Sequence, residues 1–146
     1  MAKQKTFTLQ EANLLLPVLE SLLKRAIEAK NLIARAEKEF QDLHHKIFLS
    51  GGTLVNIGEV SLKKVARDKA VQQIKDAVGE IHATGVQVKD LDVGLLDFPT
   101  VVENEVVLLC WKLGEPHSIQ HWHGVEEGFS GRKPIGTLIK DSEKPN

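Results

Sequence analysis

The chain has 146 residues and 16.2 kDa, enough for one domain with a sizeable core, and its 42% apolar and 27% charged content is that of an ordinary globular protein. A net charge of -1 gives no general attraction to nucleic acid or anionic lipid, and one cysteine, Cys110, cannot form an intrachain disulfide. No apolar run approaches the roughly 18 residues of a membrane span, and the start Met1-Ala2-Lys3-Gln4-Lys5 lacks a signal-peptide pattern, so a cytosolic (cytoplasmic) protein is the expectation.

The first half reads as helix. Thr8-Leu9-Gln10-Glu11 fits a capping box, with Phe7 before it as a staple. A 4-3 spacing follows: Leu15, Leu19, Leu22, Ala26, Ala29, Ile33, Ala36, Phe40, Leu43 and Ile47. That repeat predicts a long helix with a coiled-coil-like seam, a rod of roughly 60 Å. Pro17 removes one hydrogen bond about two turns in and is expected to kink it. Gly51-Gly52 is the expected stop.

A second periodic stretch runs through Ile57, Val60, Lys64, Arg67, Val71, Ile74, Val78 and Ile81, with Ala66, Ala70 and Ala77 beside it to allow close helix approach. Gly58 argues for a helical start at about Val60, and Gly85 is the expected C-terminal stop. The short connection predicts an antiparallel pair. The first helix is the longer by about a dozen residues, so part of its seam needs another partner: the second half or another subunit.

The second half reads as strands and loops. Val86-Gln87-Val88 alternates, Leu95–Phe98 and Val101-Val102 flank Pro99, Glu103-Asn104-Glu105 is a turn, and Val106–Trp111 fits a strand buried on both faces. Ile119–His123 is a candidate third strand of a meander. Beyond Gly124 the glycines and Pro134 predict irregular chain, and the polar end is expected to fray. The expected architecture is α+β. A long antiparallel helical hairpin (residues 6–85) packs on a small antiparallel sheet with loops (residues 86–136), with a tail over 137–146, all in one domain. Charge divides unevenly, +3 over residues 1–85 and -4 over 86–146, a weak attraction between the halves or between subunits.

Several segments together resemble one family: Phe7–Pro17, Val88–Asp92, Gly94–Pro99, Leu108–Pro116, Trp122-His123 and Gly128–Ile135. In this order they are similar to the uncharacterised bacterial family catalogued as domain of unknown function 2203, over about residues 6 to 136. The resemblance implies a bacterial cytosolic protein and no particular activity. Between Glu115 and Trp122 the chain is longer and richer in histidine than the family pattern, so no family-wide role passes to His117 or His121.

Glu115, His117, His121 and His123 fall within nine residues. In an extended segment His117, Ile119, His121 and His123 would share one face. Imidazole and carboxylate suit zinc, iron, nickel or manganese, although the spacing matches no closed structural-zinc pattern, and the plain alternative is a pair of polar histidines beside Trp122. Asp90, Asp92, Asp97 and Glu115 are a second group, with turn chemistry as the alternative for Asp90 and Asp92. Asp97 lies between Leu96 and Phe98, where a bare carboxylate is costly; Lys89, Arg132 or a metal are its candidate partners. Cys110, inside an apolar run, reads as inert core more readily than as a nucleophile. Trp111 is expected against the helices, and Trp122 either in the core or as a pocket wall. Gly128–Lys133 could form an anion nest closed by Arg132, with a plain glycine-rich loop as the alternative. His44-His45 suits the helix C-terminus.

Two functions follow. One is a divalent-metal or small-ligand site at the sheet end, with Glu115, His123, His121 and Asp97 as metal ligands and Arg132, Lys89 and Trp122 as ligand-binding residues. Zinc, iron or manganese is the expected ion, and a metal-bound water for hydrolysis is the natural chemistry. The other is a non-catalytic coiled-coil interaction or scaffold protein. Either way a homodimer is the expected assembly, with no membrane and no nucleic acid as partner.

Overall fold

A computed structural model describes residues 5–49, 51 and 57–138. Gly52, the Met1–Gln4 start and the expected tail from residue 139 on lie outside the described residues. Two helices, α1 (Leu9–Leu49) and α2 (Ile57–Ala83), precede five strands: β1 (Gln87–Asp90), β2 (Leu95–Val102), β3 (Glu105–Lys112), β4 (His121–Gly124) and β5 (Lys133–Pro134). The strands form one antiparallel sheet in chain order, so the α+β reading and the meander both hold.

The helix boundaries follow from local chemistry. The capping box is reciprocal: the Thr8 N–H donates to Glu11 Oε1 at 2.9 Å, and the Glu11 N–H donates to Thr8 Oγ1 at 3.1 Å. Those bonds hold the Glu11 carboxyl below its usual range. Phe7 turns inward and meets Phe98 edge-on at 5.8 Å. Its N–H donates to Pro99 O at 2.7 Å, tying the chain before α1 to the sheet. The helix runs unbroken through Pro17. Gly85, at φ +99, closes α2 with its N–H on His82 O.

All ten seam positions of α1 are buried or half-buried. The seam of α2 differs in part from the expected one. Of the expected positions Val60, Arg67, Val71, Ile74, Val78 and Ile81 are buried or half-buried, Ile57 and Lys64 are exposed, and Lys63, Ala70 and Ala77 turn inward as well. The fully buried members are Ala70, Ala77 and Ile81, so small residues at the contact set this register. Lys63 and Arg67 sit on the seam by lying along it. Lys63 reaches Glu39 at 3.4 Å, Arg67 reaches Glu37 at 3.6 Å, and the Arg67 guanidinium covers Phe40. The helix also begins at Ile57 rather than near Val60, with Gly58 in its first turn, where backbone N–H groups have no intrahelical partner to lose.

Sheet register is fixed by the turn between β2 and β3. Glu103 and Asn104 both take positive φ (51° and 67°), as a two-residue hairpin of the primed type requires. Pro99 stays inside β2 because the partner on its other side is Phe7, which donates to its carbonyl and asks for no N–H in return. Leu96, Phe98, Leu109 and Trp111 line the face packed against α1 and α2, in one core with Leu16, Leu19, Leu23, Ile81 and Ile119. Trp111 is on the expected side, and its indole N–H donates to Pro116 O.

Candidate functional site

Strand alternation puts Asp97, Cys110, His121 and His123 on the face of the sheet opposite the helices. Asp97 pairs with Cys110, Cys110 pairs with His121, and His123 stands one row further along β4 opposite Leu108. Asp97 is 2% exposed, His123 2% and Cys110 not at all. One ligand atom from each lies within 4.8 Å of the others.

The hydrogen bonds define what this trio can do. His123 Nδ1 lies 2.8 Å from Gly124 O, and a carbonyl only accepts, so Nδ1 carries the hydrogen and donates it. His123 Nε2 then faces Asp97 Oδ1 at 3.0 Å. One proton must sit between those two atoms, on the imidazole or on the carboxyl. Cys110 completes the group: burial, then the Asp97 carboxylate beside it, push its thiol up to about 12. It is a neutral thiol at neutral pH, which removes a free thiolate nucleophile.

The other expected site residues are placed nearby or elsewhere. Glu115 pairs with Arg132, whose Nη2 donates to Oε1 at 2.6 Å and to Oε2 at 2.9 Å. The Lys112 N–H also donates to Glu115 Oε1. Burial pushes the Glu115 carboxyl up, but the bonds from Arg132 and Lys112 outweigh it, and the net direction is down. Arg132 Nη2 reaches Cys110 O at 3.3 Å as well, so this ion pair borders the trio. The guanidinium lies against the Phe129 ring at 4.6 Å. Arg132 therefore already has a carboxylate, and the stretch weighed as an anion nest or a plain glycine-rich loop holds a short 3-10 turn (Phe129–Gly131). His121 Nδ1 is 3.7 Å from Glu115 Oε2.

His117 leaves the group. Residues 117–120 are not strand: His117 bonds to Glu20 of α1 at 2.7 Å, and Ile119 is buried with the helices. The Ile119 N–H donates to Asn13 Oδ1, so this segment docks on α1 rather than extending β4. Asp90 ends β1 and Asp92 lies in the turn after it, with the Asp92 N–H on Asp90 Oδ1 and Lys30 paired to Asp92. Lys89 is exposed on edge strand β1. Trp122 packs against the helix-side core, with its N–H on Thr137 Oγ1 and Lys133 over its ring. His44 and His45 are exposed near the end of α1.

Cys110 is the member that sequence reasoning left in the core. A signal for it exists: Asp97 stands five residues before Val102 and Cys110 five after Glu105, so a two-residue turn at Glu103-Asn104 makes them neighbours.

The chain belongs to the family described as Uncharacterized conserved protein (DUF2203), which it matches over residues 5–135. No curated protein and no solved structure matches the chain. Among the described residues no helix is long and apolar enough to cross a membrane.

Proposed function

We propose that this member of the DUF2203 family binds a divalent transition metal through Asp97 Oδ, Cys110 Sγ and His123 Nε2. The His123 contact with Gly124 O carries the reading. A ligating histidine commonly donates its second N–H to a carbonyl or carboxylate, which fixes the tautomer and turns the other nitrogen to the ion. His123 has that arrangement, with Nε2 directed at Asp97. A metal would replace the proton now held between Nε2 and Oδ1 and the proton on Cys110. Mixed N, O and S donors favour zinc or iron over magnesium or calcium. Tetrahedral zinc sets its ligand atoms roughly 3.3–3.8 Å apart, so a cluster spanning 4.8 Å has to contract by ~1 Å.

Elemental mass spectrometry on untagged protein purified without nickel tests this. One equivalent of zinc or iron is expected, falling to background in His123→Ala. Zinc at about 100 times its Kd should stabilise the wild type by about 2.7 kcal/mol. Absence of metal, even after incubation with zinc, manganese and iron, would sink the proposal. Hydrolysis by a metal-bound water needs in addition an open coordination position and a route from solvent.

A coiled-coil interaction role is the second reading. The specific observation for it is the far end of the hairpin, where Phe48 is 79%, Ile57 78% and Leu62 73% exposed. Light scattering of the full chain distinguishes the two: a dimer that Leu62→Glu dissociates favours interaction, and a monomer at tens of micromolar removes it.

A further inference from the structure

The geometry points to His121 as a fourth ligand that closes the metal centre, an inference that rests on the Asp97–Cys110–His123 reading. Three ligands leave one corner of a tetrahedron. A water there would give a hydrolytic site; a fourth side chain would give a closed one.

Three observations favour the side chain, and favour His121. The first is register. Asp97, Cys110 and His121 form one straight row across β2, β3 and β4 on the same face. Directly opposed residues have Cβ atoms about 4.5–5.5 Å apart, so a change of χ1 at His121 sweeps its ring toward the sulfur of Cys110. The second is an orphaned atom. His121 Nδ1 is buried and has no hydrogen-bond partner, a condition shared among the described residues only with Arg132 Nε. Its nearest acid, Glu115 Oε2, is too far for a hydrogen bond and is already engaged by Arg132. A buried nitrogen in that state gains a full bond by turning to an ion.

The third is charge. A thiolate from Cys110 and a carboxylate from Asp97 neutralise a divalent cation, and two neutral imidazoles keep the sum at zero. Glu115 as fourth ligand would leave a net negative charge in a buried site and strip Arg132 of its partner, both costly. The neutral His121 completes the set; Glu115 stays with Arg132. A site so closed holds its metal for structure or metal sensing, and it has no position for a reactive water.

Cobalt(II) and zinc titrated into the metal-free full chain test this, with His121→Ala, His121→Gln and His123→Ala compared after circular dichroism confirms their fold. The wild type should show the intense visible bands of four-coordinate cobalt with a thiolate ligand. Both His121 variants should bind zinc at least about 100-fold more weakly, with weaker cobalt bands, and free imidazole should restore the spectrum of His121→Ala. Unchanged affinity and spectrum in both His121 variants, with binding lost in His123→Ala, would overturn the fourth ligand and leave the three-residue site standing. No cobalt or zinc bound by the wild type would remove both readings.

Discussion

The two faces of the sheet both carry buried residues, and they are built on opposite rules. Toward the helices stand Leu96, Phe98, Leu109 and Trp111, which need shape alone apart from the one indole N–H of Trp111 that Pro116 O accepts. Away from them stand Asp97, Cys110 and His123, each of which must find a partner for a polar atom. Adjacent residues of the same strands serve the two faces, because side chains alternate. The first face is stabilised by area removed from water and tolerates apolar exchange of similar volume. The second is stabilised only as a complete set, since a half-satisfied buried network is worse than an apolar one.

Truncation on the apolar face should have the larger effect. Phe98→Ala removes a fully buried ring that meets Phe7, and a loss of about 3–5 kcal/mol is expected in urea unfolding. Phe98→Leu, closer in volume, should recover most of it. Equal losses for the two variants would mean that this face is not held by packing.

The polar face should respond to completeness rather than size. Asp97→Leu leaves Cys110 and His123 Nε2 without their partner in a dry setting, at a cost of about 1–3 kcal/mol in the metal-free protein. Adding His123→Leu should return part of that stability, because the bare imidazole goes with it. A double variant less stable than the single one, by thermal and urea unfolding alike, would break the contrast between the faces.

Legibility in the sequence followed the range of the interactions. The capping box and the α1 seam were readable because their partners lie three and four residues apart. The α2 seam is readable at six of its eight positions; Ile57 and Lys64 face solvent, and Lys63 takes the inward place because the small residues Ala70 and Ala77, beside the large apolar series, make the tightest helix contact. Asp97 and His123 drew notice as polar groups in apolar surroundings. The sequence puts them in one ligand set, but the register that joins them is not readable, since an eight-residue loop, Leu113–Gln120, separates β3 from β4 and fixes no register. That loop also carried His117 away to Glu20, a contact 97 residues apart in sequence.

The rim of the polar face supplies the smallest and most selective test. Glu115 is held below the usual carboxylate range by Arg132 and the Lys112 N–H against the opposing effect of burial. A carboxyl lowered on folding adds stability above its unfolded pKa, and that stability disappears as pH falls through the lowered value. Arg132→Gln should therefore be less stable than the wild type at pH 7, and the gap should narrow as pH drops below about 4. The gap should stay under about 1 kcal/mol, because a quarter of the Glu115 side chain remains exposed and solvent screens the pair. Glu20 and Glu127 are lowered too, by His117 and Lys133, but they titrate alike in both proteins and cancel in the difference. A gap that stays constant toward acid would mean that Arg132 works mainly through its stacking on Phe129, a contact that does not depend on the charge of Glu115. A gap that closes would fix the Glu115–Arg132 pair as the charged border of an otherwise neutral buried face, and so keep Glu115 apart from the ligand set that Asp97, Cys110 and His123 define.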